Sequence, residues 1–182
     1  MRSGAAGTLR PLCLGGGCIV KFLLSISLPL YVLDQVTKLW IVRNFVLHEQ
    51  RPVIPDFFDL VYFANTGAAF SAFTGNNTFF IGLSIVAVIG LIVFYLRGAF
   101  ADRLSRWGVA LLLAGILGNL TDRFLHGHVV DFLLFDLHVR FANPWPAFNV
   151  ADSCICTATG LFILAALVDG RKPAAQAGDA AK

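Results

Sequence analysis

Residues 79–96 read Phe-Phe-Ile-Gly-Leu-Ser-Ile-Val-Ala-Val-Ile-Gly-Leu-Ile-Val-Phe-Tyr-Leu, 18 consecutive positions without a charge. A helix of that length covers about 27 Å, close to the ~30 Å hydrocarbon thickness of a bilayer, so the stretch predicts a membrane span. Outward from it, Ser153 to Val168 is a second uncharged apolar run, of 16 residues. Two further spans are less clean. One runs from about Cys18 to Val42 and holds Lys21, Asp34 and Lys38; the other runs from Trp107 to about Leu125 and ends on Asp122 and Arg123. The whole chain agrees: of 182 residues, 57% are hydrophobic and 14% charged, against about 25% charged in a soluble domain. The expected fold is an all-α membrane bundle of four transmembrane helices with a small extracytoplasmic β-rich cradle.

The basic residues set an orientation. With both termini in the cytoplasm, Arg2, Arg10, Lys21, Arg97, Arg103, Arg106, Arg171, Lys172 and Lys182 lie inside, nine of the 14 Lys and Arg, as the positive-inside rule prefers. They are scattered, and the net charge is only +3, so a nucleic-acid footprint is absent. The first span follows a basic start but runs into Asp34, Gln35 and Lys38 without a small-residue cleavage site, and reads as a retained anchor. The expected division is a cytoplasmic N-terminal tail over 1–17, a four-span membrane domain over 18–170 and a cytoplasmic C-terminal tail over 171–182. Cys13, Cys18, Cys154 and Cys156 lack the spacing of a zinc site or a disulfide framework and read as buried free thiols.

Two connections are long, about 43–77 and 126–150, and in a four-span chain both fall on the extracytoplasmic side. In the second, Phe135, Leu137, Val139 and Phe141 alternate with Asp136, His138 and Arg140, which predicts a half-buried strand. In the first, Phe57 to Phe63 is apolar apart from Asp59 and predicts a strand plus an interfacial piece.

The same topology gathers the polar motifs at one face. Asp34 and Lys38 end span one, Asn65 precedes span two, Asn119, Asp122 and Arg123 end span three, Asp131 follows, and Asn149 and Asp152 open span four. Ionisable groups in a membrane are costly unless paired or hydrated, so each is a functional hypothesis with a partner to be named. Asp34 and Lys38, four apart, share a helix face; a structural ion pair and a substrate role fit equally. Asp122 and Arg123 are adjacent and point apart, which suits separate structural tasks. Asp131 and Asp152 sit among apolar residues with no basic neighbour in sequence. Buried together they could not both ionise. That is the arrangement of an aspartic-protease pair, and intramembrane carboxylates serve proton or ion transport as well. Asn149 is placed either to bond substrate beside Asp152 or to cap span four.

The motifs Asp34-Gln35-Val36-Thr37-Lys38, Asn65-Thr66-Gly67-Ala68-Ala69-Phe70-Ser71, Gly118-Asn119-Leu120-Thr121-Asp122-Arg123, Gly127-His128-Val129-Val130-Asp131-Phe132 and Phe148-Asn149-Val150-Ala151-Asp152, in this order, together resemble the bacterial lipoprotein signal peptidases, or type II signal peptidases. The resemblance covers roughly residues 20–170. It implies an aspartic endopeptidase of the bacterial cytoplasmic membrane, with its site at the extracytoplasmic face. Such an enzyme removes signal peptides from prolipoproteins, cutting just before a cysteine that carries a diacylglyceryl group. It implies the catalytic pair Asp131 and Asp152, with Asp34, Lys38, Asn65, Gly67, Asn119, Asp122, Arg123 and Asn149 as substrate-binding or structural support. No metal or cofactor is implied; the implied partners are diacylglyceryl prolipoproteins and membrane lipids, and the implied state is a monomer.

Rival chemistries have weaker marks. His126 and His128 form a His-x-His pair near His138, without the Glu-bearing helix of a zincin. A Ser71–Lys38 hydrolase rests on neighbourhood alone. A transporter needs polar groups through the membrane thickness, and residues 79–96 carry no charge.

Overall fold

The computed structural model describes residues 16–67, 75–100, 102–139 and 145–169, with side chains from residue 20 onward. Four helices and three strands follow in the order α1 (Gly16–Asn44), β1 (Gln50–Ile54), β2 (Phe58–Asn65), α2 (Asn77–Leu96), α3 (Arg103–His126), β3 (Val129–Phe135) and α4 (Val150–Asp169). All four helices are long and apolar enough to cross a membrane. Helices meet that requirement because their backbone hydrogen bonds close within the segment and ask nothing of lipid. Large apolar side chains such as Val86, Leu96, Leu24 and Ile163 point outward, where lipid tails would receive them.

Helix α3 is the centre of the bundle, packing against α1, α2 and α4. Its start is capped by Asp102, whose carboxylate accepts the Ser105 N–H at 2.8 Å, and its end by Gly127 in the left-handed region at φ 75°, which glycine enters without steric cost. Small residues let α4 and α1 close on it. A Cβ on Gly115 would lie 2.5 Å from the Ala151 carbonyl oxygen, and one on Gly118 would lie 2.5 Å from Asp34 Oδ2. At the end of the bundle near Arg97, the core is apolar: Leu91, Tyr95, Val109 and Leu113 pack with Phe100 and Phe162.

The two long connections combine into one antiparallel sheet, β1-β2-β3, so they lie at the same end of the bundle. Phe58 pairs with Phe135 and Asn65 with Val129, with a bulge between Leu60 and Phe63. The sheet sits on the end of α1 through Ile41, Phe45, Val130 and Phe132. Beyond β3 the chain returns along it: Phe132 and Leu133 N–H donate to the Phe148 carbonyl at 3.0 and 2.8 Å. This return delivers Asn149 to the start of α4.

Three sequence expectations need correction. The strand lies at 129–135, not over the alternating stretch; His138 has φ 53°, residues 136–138 belong to no strand, and Arg140 and Phe141 fall outside the described residues. The physical reason is burial on both faces, since Val129 to Phe132 and Leu134 are all buried, and a strand so enclosed reads as a continuous apolar run. The connection over 43–77 contributes two paired strands instead of one. Of the cysteines, Cys154 is buried but Cys156 is exposed; Cys13 and the Cys18 side chain lie outside what is described.

Candidate active site

At the sheet end of the bundle a cavity of about 930 Å³ opens between β2, β3, the 145–148 segment and α4. Asn65, Gly67, Asn119, Arg123, Asp131 and Asp152 all line it. Asp131 comes from the middle of β3 and Asp152 from the first turn of α4. The first is buried and the second half-buried.

Each of the four carboxylate oxygens accepts one N–H. Asp131 Oδ2 accepts from Asn65 Nδ2 at 2.8 Å and Oδ1 from Asn149 Nδ2 at 2.8 Å. Asp152 Oδ1 accepts from Asn119 Nδ2 at 2.7 Å and Oδ2 from the Asn149 backbone at 3.3 Å. The last contact is half of a reciprocal cap, because Asn149 Oδ1 in turn accepts the Asp152 N–H at 2.9 Å. Asn149 is therefore the N-cap of α4 and a partner of both aspartates at once, and it is fully buried. Burial, followed by the charge of Asp152, pushes the Asp131 carboxyl up to about 7, against the pull of the Asn65 and Asn149 hydrogen bonds and of Lys38.

Behind these amides lies a charged cluster. Lys38 Nζ is 2.9 Å from Asp34 Oδ2, 2.9 Å from Asp122 Oδ2 and 3.0 Å from Asn119 Oδ1. Asp34 also accepts the Ala151 N–H at 2.8 Å, and Asp122 the Val130 N–H at 3.0 Å. The pair thereby ties α1 to the start of α4 and α3 to β3. A buried ion pair repays its desolvation only when its remaining lone pairs and protons are satisfied, and here backbone N–H groups satisfy them.

Arg123 reaches the opposite wall: Nη2 donates to the Gly67 carbonyl at 2.9 Å, and the guanidinium lies 4.8 Å from the centre of the Phe80 ring. Gly67 N–H donates to Asn65 Oδ1 at 3.0 Å, which aims the Asn65 amide nitrogen at Asp131. The Arg123 Nε has no hydrogen-bond partner within the described residues.

The sequence expectations on the supporting residues converge in space, with two differences. Asp131 and Asp152 have no basic neighbour in sequence, but Lys38 and Arg123 face them across the fold. Asn149 turns inward to the aspartates instead of outward to the cavity. Cavity-lining residues not foreseen are Trp145 to Phe148, and Ser153, Cys156 and Thr157 on α4. The latter three follow from helical spacing, since 152, 153, 156 and 157 share one face; the former carry no periodic signal. Ser71 lies outside the described residues.

A family model described as "Signal peptidase (SPase) II" matches residues 26–168. The lipoprotein signal peptidase of Syntrophotalea carbinolica is 46% identical over 153 residues, covering 82% of this chain and 93% of that protein. The lipoprotein signal peptidase of Ralstonia nicotianae is 42% identical over 167 residues, covering 90% and 91%. A solved structure described as a bacterial membrane enzyme, determined in meso at 2.3 Å, superposes with a TM-score of 0.76 at 32% identity over 87% of this chain and 92% of that one.

Proposed function

The chain belongs to the signal peptidase II family, and from that premise we propose that it removes signal peptides from prolipoproteins by water attack directed by Asp131 and Asp152. The observation that supports this most is the even supply of one N–H to every oxygen of two carboxylates lining a single cavity. So held, the two share one proton at neutral pH.

In the proposed reaction Asp131, pushed up to about 7, carries the proton and donates a hydrogen bond to the scissile carbonyl. Asp152, ionised, takes a proton from the attacking water. The hydroxide adds to the carbonyl carbon, and the tetrahedral oxyanion is stabilised as the Asp131 proton moves toward it. Collapse breaks the C–N bond, and the proton held by Asp152 goes to the leaving amine. The amine is that of a cysteine carrying a diacylglyceryl group, whose chains lie in the bilayer and bring the bond to the depth of the cavity.

On this reading residues 18–170 form the peptidase, working as a monomer among membrane lipids, and the tails 1–17 and 171–182 lie in the cytoplasm. The cavity then faces outward from the bacterial cytoplasmic membrane. Asp34, Lys38, Asn119, Asp122 and Asn149 hold the pair, while Asn65, Gly67 and Arg123 border the substrate.

The decisive experiment is cleavage of a diacylglyceryl prolipoprotein in detergent by wild type, Asp131→Asn and Asp152→Asn, each checked for folding. Both variants should lose about a thousandfold or more in rate, and chelators should leave the wild type unchanged. A folded variant retaining a tenth of wild-type rate would move the chemistry to other residues.

A further inference from the structure

We propose that Lys38 is a positioning residue for the Asp131–Asp152 pair, holding the Asn119 amide with its nitrogen toward Asp152 and so keeping Asp152 in the state that accepts a proton from water. The proposal rests on the dyad reading above and extends it to a group that touches neither aspartate.

The geometry runs through one amide. Asn119 Oδ1 accepts from Lys38 Nζ at 3.0 Å and from Asn149 Nδ2 at 3.2 Å. An ammonium has three donors and no acceptor, so a flipped Asn119 would set its NH₂ against the Lys38 NH₃⁺. The unflipped amide has its two N–H groups left for Asp152, and one of them meets Oδ1 at 2.7 Å. Turned over, the amide would present its carbonyl to Asp152, an arrangement satisfied only when Asp152 carries the proton. Lys38 thus selects between the two protonation patterns of the pair.

Lys38 is itself fixed. It is 3% exposed, and its three donors are used by Asp34, Asp122 and Asn119. Asn149 is a second constraint on Asn119 but a divided one, since its Nδ2 also faces the Val130 carbonyl at 3.3 Å and Asp131 Oδ1 at 2.8 Å. Among the described residues, the charged groups around the pair are Asp34 and Lys38 from α1 and Asp122 and Arg123 from α3. Asn65 of β2 is neutral, and the α2 residues nearest Arg123, Asn77 and Phe80, carry no charge. Lys38 also favours the ionised form of Asp131. Its loss therefore raises the pH needed to ionise the pair.

The test is the pH profile of cleavage between about pH 5 and 9 for wild type, Lys38→Met and Lys38→Arg. Lys38→Met should move the acidic limb up by about one to two pH units, the scale of one charge at this range. Its kcat should fall more than about tenfold, with KM within about twofold. Lys38→Arg should keep the wild-type acidic limb. Lys38→Met leaves two buried carboxylates without their cation, so Lys38→Met combined with Asp122→Asn is the second variant; it removes one charge of each sign and should shift the limb in the same direction. An unshifted limb in a folded neutral variant, with activity falling only as the folded fraction falls, would make Lys38 a structural ion pair and overturn the proposal. Asp131→Asn and Asp152→Asn run alongside: cleavage by either sinks the dyad reading itself, whereas inactive aspartate variants with an unshifted Lys38 limb sink this inference alone.

Discussion

Helices α2 and α3 cross the same bilayer by opposite means. The most apolar window of α2 has mean hydropathy 2.7 and is 11% buried in the protein; that of α3 has mean hydropathy 1.4 and is 50% buried. Among the described residues α2 packs chiefly on α3, whereas α3 meets every other span. Hydrophobicity in a membrane span measures contact with lipid, and lipid tails are as apolar as leucine, so it drives insertion but not helix association. The span that is easiest to find in the sequence therefore carries the least of the specific structure, and the span diluted by Gly, Asn, Asp and Arg carries the most.

The largest expected break in that contrast is Asp122→Ala. It removes one carboxylate from Lys38 and the acceptor of the Val130 N–H, and should cost about 3–5 kcal/mol, seen as a lowered unfolding midpoint in detergent. Val86→Ala, on the outer face of α2, should leave the midpoint where it is.

A pH series sharpens the polar side of the contrast. Asp131 stands at about 7 in the fold against an ordinary 3.8, so the folded state binds the proton more tightly. The stability contributed by Asp131 should be full below about pH 4, fall as pH rises through that interval by on the order of 4 kcal/mol, and be gone above about pH 7. Asp131→Asn should flatten the slope. An unchanged slope would assign it to other groups.

Glycine substitutions give the next effect. Gly115→Ala and Gly118→Ala drive a methyl into the Ala151 carbonyl and the Asp34 carboxylate, at a cost of about 1–3 kcal/mol. Gly82→Ala and Gly90→Ala on α2 meet open space and should be neutral or stabilise by a few tenths up to about 1 kcal/mol. The smallest expected loss is from Asp102→Ala, which removes the α3 cap for about 1 kcal/mol.

The spans and the aspartates, asparagines and Arg123 of the cavity were legible because each depends on local facts: apolar length, charge placement, and motifs that stay intact along the chain. What was not legible depends on enclosure or distance. Strand β3 is covered on both faces, so Val129 to Phe135 shows no alternation, while residues 136–138, which do alternate, belong to no strand. Lys38 has a partner four residues away and another 84 residues away, and only the first leaves a mark on helix spacing. Trp145 to Phe148 reach the cavity wall because Phe148 pairs with β3, a contact no local pattern encodes.

Asp131 lies on a strand and Asp152 on a membrane helix, and Asn149 is the small hinge-pin between them. Helices enter a bilayer one by one, whereas this sheet needs both long connections on the same side before β2 can pair with β3. A chain that has inserted but not yet closed its sheet therefore holds its two cavity carboxylates apart. If the proposed pair carries the chemistry, maturation and activation coincide, and the membrane is spared an unfinished protease.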